Sequence, residues 1–277
     1  MKIIDVHTHA FPDPVAVKAV PTLEGKSGVK ARGEGTIASL LASMASSGIS
    51  ASVVGSIATK PEQSAKITAW SVDVQKNLPS IIPLGSIHPA GDWKTDLDAV
   101  KKAGLTGIKL HPYYQDFIVD DDRMLKIYGY SQKLGLFILF HAGFDIGYEH
   151  YDCASPKRFY NVWKSLPGLK AILAHMGGWL VWDEVLEHLP GTGYYLDTSY
   201  CDGFIAPGQL SSLLKIWPKD RLCFGTDFPW TGQKEAAGLV EKWGLSPEER
   251  EGVFGSNFVR FLGEAGSVET AKRLSLS

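Results

Sequence analysis

Eight short apolar runs, at residues 2–6, 52–57, 81–87, 106–110, 136–140, 170–174, 194–197 and 221–224, are separated by longer stretches with apolar residues at helical spacing. The intervening segments 36–47, 61–77, 93–103, 121–134, 157–166, 182–189, 207–217 and 234–243 each carry one apolar face, and the last turns, 246–263, read as further helices. Ala103-Gly104 and Leu134-Gly135 place a glycine at a helix end just before a strand begins. Such alternation forces parallel pairing through helical crossovers. Strands apolar on both faces, eight in number, define an α/β fold of the (β/α)8 TIM-barrel type, a single domain over 1–277. An open sheet with a phosphate-binding turn is disfavoured, since no Gly-x-Gly-x-x-Gly follows the first strand. One segment breaks the pattern: residues 11–35, rich in Pro, Gly and Lys, read as a loop insertion over the barrel mouth.

A barrel brings its strand ends together on one face, so the polar residues at those ends become neighbours. Six of the eight histidines fall there: His7, His9, His88, His111, His141 and His175. Lys109, Asp197 and Asp227 stand at the ends of the fourth, seventh and eighth strands. His7 and His9 are two apart, the period of a strand, so both rings can reach one ion. Before Pro89, His88 reads better as a capping or hydrogen-bonded residue, whereas His141 and His175, each with a glycine two residues on, read as functional. His7, His9, His141 and Asp227 form a mixed N/O donor set suited to one divalent ion, Zn2+ first, with Mn2+ or Fe2+ as alternatives. Such an ion activates water and polarises a carbonyl. Asp227 and His175 are the expected catalytic acid-base groups.

Asp5-x-His7-x-His9, the histidines after strands five and six, and Gly225-Thr226-Asp227-Phe228-Pro229-Trp230 resemble the amidohydrolase superfamily. The run from Gly255 to Gly263 is similar to the terminus of the branch that includes aminocarboxymuconate semialdehyde decarboxylase and γ-resorcylate decarboxylase. That resemblance implies a single metal on residues matching His7, His9, His141 and Asp227, with His175 as acid or base. It also raises a binuclear alternative, in which a carboxylated Lys109 bridges a second ion. Substrate contacts are expected from His111, Tyr113, Tyr114, Gln115, Asp145, Tyr148, Trp179 and Trp230 near the mouth.

The leading function is a metal-dependent hydrolase of a C–N or C–O bond in a small molecule, and the alternative is a nonoxidative decarboxylase of a small carboxylic acid. A TatD-like nuclease fits less well, because Lys109 and His111 replace the acidic strand end it needs and no basic patch is present; a non-catalytic metal-binding barrel would not need the whole donor set. The formal charge of -2 offers no general attraction for nucleic acid or anionic lipid, so a small molecule is the expected partner, and a homo-oligomer is compatible with the sequence. No apolar run reaches the ~18 residues of a membrane span, no signal-like segment opens the chain, and Cys153, Cys201 and Cys223 suit reduced thiols, all of which lead to a cytoplasmic expectation.

Overall fold

All eight expected strands form, with ends shifted by a few residues: β1 (Ile4–Thr8), β2 (Ala51–Val54), β3 (Ile81–Pro83), β4 (Gly107–Leu110), β5 (Phe137–Phe140), β6 (Ala171–Leu173), β7 (Tyr195–Asp197) and β8 (Leu222–Cys223). The helices are α1 (Asp13–Ser27), α2 (Ile37–Ser47), α3 (Ser64–Asn77), α4 (Trp93–Lys102), α5 (Pro112–Gln115), α6 (Asp122–Leu134) and α7 (Pro156–Ser165). They continue as α8 (Trp182–His188), α9 (Pro207–Ile216), α10 (Gln233–Val240), α11 (Pro247–Glu251), α12 (Asn257–Glu264) and α13 (Val268–Leu276). These come from a computed structural model that describes residues 2–276.

Every strand pair is parallel and follows chain order, β1-β2-β3 and β4 through β8. Two seams join these arcs into a closed barrel. Between β3 and β4, Gly85 N–H donates to Gly107 O at 3.0 Å and Lys109 N–H donates to Gly85 O at 3.0 Å; between β8 and β1, Val6 N–H donates to Phe224 O at 2.8 Å. Closure removes the exposed edges of an open sheet.

Alternate strand residues point to different layers. Val54, Ile108, Leu110, Ile138, Phe140 and Leu173 face the helices. Val6, Val53, Leu84, Leu139 and Ile172 fill the barrel, whose lower end is stoppered by Phe258, Phe261 and Leu262 of α12. Phe261 is fully buried and lies edge-on to Phe137, with centroids 5.2 Å apart. Phe261→Ala empties that end, and we expect a loss of about 3–5 kcal/mol, read as a lower denaturant midpoint at unchanged slope.

The 11–35 segment is not a plain loop: residues 13–27 form α1, a 15-residue helix. Its prolines are tolerated for physical reasons. Pro14 sits in the first turn, where the missing N–H has no helical partner to lose. Pro21 lies inside the helix, but the carbonyl it frees belongs to Val17, which is 75 % exposed, so water satisfies it. Ala16 and Val20 are the buried face. The last turn is tied down by Lys26, whose Nζ lies 3.2 Å from the Tyr148 ring centroid, a cation–π contact. Among the described residues no helix is long and apolar enough to cross a membrane, and the three cysteines are buried free thiols.

Candidate metal centre

The upper end of the barrel is polar and buried. The β1–β2 register shifts between Asp5 and Thr8, an irregularity of the kind that re-aims side chains. Asp5 anchors it: its Oδ1 accepts from His7 N–H and Thr226 N–H, and its Oδ2 accepts from Thr226 Oγ1 and Gln233 Nε2 at 2.6 and 2.8 Å. The carboxylate thereby joins β1 to the turn that carries Asp227. Asp5→Ala strands these buried donors, at about 1–3 kcal/mol each before relaxation. We expect a stability loss of about 3 kcal/mol, measured by chemical denaturation.

His7 and His9 then face Asp227. His7 Nε2 lies 3.3 Å and His9 Nε2 2.9 Å from Asp227 Oδ1. Each ring uses its other nitrogen as donor: His9 Nδ1 to the Gly55 carbonyl at 2.7 Å and His7 Nδ1 to Asp197 Oδ2 at 2.9 Å. Those bonds fix the tautomers and turn both Nε2 lone pairs toward a carboxylate oxygen. Lys109 Nζ already lies beside His7 Nε2, and the 3.3 and 2.9 Å separations of the two Nε2 atoms from Asp227 Oδ1 are close to those between ligands on a tetrahedral ion with ~2.0–2.1 Å bonds. The residues present therefore fit a divalent metal.

Electrostatics agree. Burial, reinforced by Lys109, pushes His7 down to about 4 against the pull of Asp197 and Asp227, so the ring is a neutral ligand at neutral pH. Burial opposes ionisation of Asp227, yet His7, His9 and His175 hold it far below the usual carboxylate range. Asp197, fully buried, is likewise held low by His7, His175 and Ser199 despite desolvation. Lys109 is buried and pushed down to about 8 by desolvation, with Nζ 2.9 Å from His7 Nε2.

His141 does not join this trio. Its Nε2 faces the Phe144 carbonyl at 2.8 Å, its Nδ1 faces His175 Nε2 at 3.1 Å, and it groups with His111 and Asp145 as a second donor set. In that set the His111 and His141 rings are stacked, 4.1 Å apart and 15° from parallel. The lone pairs of two stacked rings run nearly parallel, so this second set needs a ring rotation before both nitrogens address one ion. His175 is adjacent to both, its ring centroid 5.4 Å from His7 and 4.8 Å from His141.

Ser199, which the sequence reading omitted, ties these groups together. Its Oγ donates to Asp197 Oδ1 at 2.5 Å and lies 3.0 Å from both His7 Nδ1 and His175 Nδ1. The spacing Asp197-x-Ser199 after a strand was its only signal. His175 and Asp227 have φ of 59° and 63°, left-handed conformations that cost a non-glycine residue about 1–3 kcal/mol. Gly143 also has φ 86°, and a Cβ there would lie 2.2 Å from Trp179 N, so the glycine after His141 permits the close approach of the following strand's loop.

Three expected substrate contacts, Gln115, Tyr113 and Tyr148, are engaged within the protein and do not line the cavity. Gln115 is buried and bonds Ala58 O, Ile87 O and His111 N–H, which fastens the loops after β2, β3 and β4. The Tyr113 hydroxyl is spent on Tyr151 O at 2.9 Å, and Tyr148 instead carries Lys26. His88 accepts from Ala90 N–H within its own turn. His111, Tyr114, Asp145, Trp179 and Trp230 do line a cavity of about 760 Å3 above His7, His9, Lys109, His141, His175 and Asp227. Residues of α1, within the 11–35 segment expected over the mouth, also line it, as do residues of α3, for which no such expectation arose from the sequence.

A closed parallel barrel with a histidine pair and an aspartate converging at its mouth defines a protein built to hold a cation there. A profile of the amidohydrolase family matches residues 4–263, and the chain belongs to that family of metal-dependent enzymes. Its fold is similar to an uncharacterised TIM-barrel protein of Bordetella bronchiseptica (20 % identity, 96 % of this chain and 100 % of that one, TM-score 0.74). It is also similar to a dihydroxybenzoic acid decarboxylase of Polaromonas sp. JS666, solved with manganese and 2-nitroresorcinol (15 %, 97 % and 98 %, TM-score 0.70). A third likeness is to a probable 2-pyrone-4,6-dicarboxylic acid hydrolase of Acinetobacter baumannii (14 %, 95 % and 100 %, TM-score 0.63). No curated protein matches the sequence.

Proposed function

We propose that the protein is a hydrolase of a C–N or C–O bond in a small molecule, with one divalent ion, Zn2+ by preference, held by His7, His9 and Asp227. The observation that carries this reading is the convergence of both Nε2 atoms on Asp227 Oδ1 with both Nδ1 atoms already committed. A bound ion lowers the pKa of a coordinated water toward neutrality and polarises a carbonyl. Asp227, which opens onto the cavity, takes the proton that the nucleophile loses. His175, fixed by Nδ1 against the Ser199 carbonyl at 3.0 Å, is the group placed to pass a proton to the leaving group through Nε2. Asp197 keeps His7 in the ligand tautomer.

A nonoxidative decarboxylase is the second reading, favoured by the position of His175 beside the centre and by an apolar cavity that suits an aromatic acid. Assays of zinc- and manganese-loaded protein against lactones, esters and amides, with parallel measurement of CO2 from hydroxybenzoates, separate the two. Chelator-sensitive hydrolysis restored by metal is the expected result. CO2 release without hydrolysis selects the decarboxylase.

A further inference from the structure

The cavity is much longer than the metal centre requires. Beyond His7, His9 and Asp227 it is lined by Val15, Ala19 and Leu23 of α1 and by Ile67 and Trp70 of α3. Its volume of about 760 Å3 lies within the roughly 300–1,000 Å3 that hold drug-sized ligands. Charge is divided along it. The two acids that line it, Asp145 and Asp227, are at the deep end together with the buried Lys109, whereas the other two lysines, Lys18 of α1 and Lys66 of α3, are exposed and have no lining acid on their own helices.

We infer that the substrate is an elongated amphipathic acid: a scissile polar group at the centre, an apolar body between α1 and α3, and an anionic far end near Lys18 and Lys66. This rests on the metal-centre reading above for the position of the scissile group. The apolar walls contribute through area removed from water, and the exposed lysines contribute mainly orientation, since ion pairs there are screened. Trp70, half-buried on α3, supplies an aromatic surface at this end of the lining.

Calorimetric titration of zinc-loaded protein with acetohydroxamate, octanohydroxamate and suberic monohydroxamate tests this, because the hydroxamate seeks the metal and the chain probes the groove. We expect octanohydroxamate to bind about 100-fold more tightly than acetohydroxamate, from several buried methylenes in a partly open groove. Trp70→Ala is expected to remove about tenfold from the octanoyl compound and to leave acetohydroxamate unchanged. Suberic monohydroxamate is expected to bind at least as well as octanohydroxamate, with any advantage abolished in Lys18→Ala/Lys66→Ala. Equal affinity across chain lengths overturns the inference. Titration of metal-stripped protein with octanoate separates the two readings: Trp70-dependent binding of octanoate without any hydroxamate binding keeps the groove and rejects the centre, and no chain-length effect in either form rejects the groove.

Discussion

Asp227→Asn is expected to lower metal occupancy and to reduce turnover by about 1,000-fold or more, because one carboxylate serves both as ligand and as proton acceptor. Its Oδ1 is the oxygen on which both histidine Nε2 atoms converge. An amide keeps an acceptor oxygen but removes the charge that draws a cation and the basicity that accepts a proton. Metal analysis and kcat on one preparation decide the matter. Full occupancy with unimpaired turnover contradicts both roles, and full occupancy with a large kcat loss keeps only the second.

His175→Ala gives the complementary pattern, about 100- to 10,000-fold lower kcat at unchanged metal content, the range for loss of a positioned acid-base group. His175 lies beside His7 and His141 but outside the His7/His9/Asp227 set. Loss of metal in this variant would make His175 a ligand instead, and an unchanged kcat would remove it from the chemistry. The contrast between the two variants separates holding the ion from moving the proton.

The strands were legible because a doubly buried parallel strand is a short apolar run that few other elements imitate. Strand-end histidines followed from the same periodicity, since barrel geometry fixes where they must gather. α1 was not legible: Pro14, Pro21 and Gly25 read as breakers, whereas the structure puts Pro14 in the first turn and Pro21 opposite the exposed Val17. Nor could a sequence reveal that His141 spends both nitrogens on Phe144 and His175, or that Ser199 links His7, His175 and Asp197. Those contacts depend on ring rotation and on residues far apart in the chain. Gln115 and Tyr113 were misassigned for a similar reason, because a polar residue near the mouth is as able to lace loops together as to meet a substrate.

Anomalous diffraction from crystals of zinc-loaded protein, collected on both sides of the zinc edge, locates the ion directly. The expected result is a single peak within bonding distance, ~2.0–2.2 Å, of His7 Nε2, His9 Nε2 and Asp227 Oδ1. A peak held instead by His111, His141 and Asp145, or none in protein shown to contain zinc at full occupancy, contradicts the assignment.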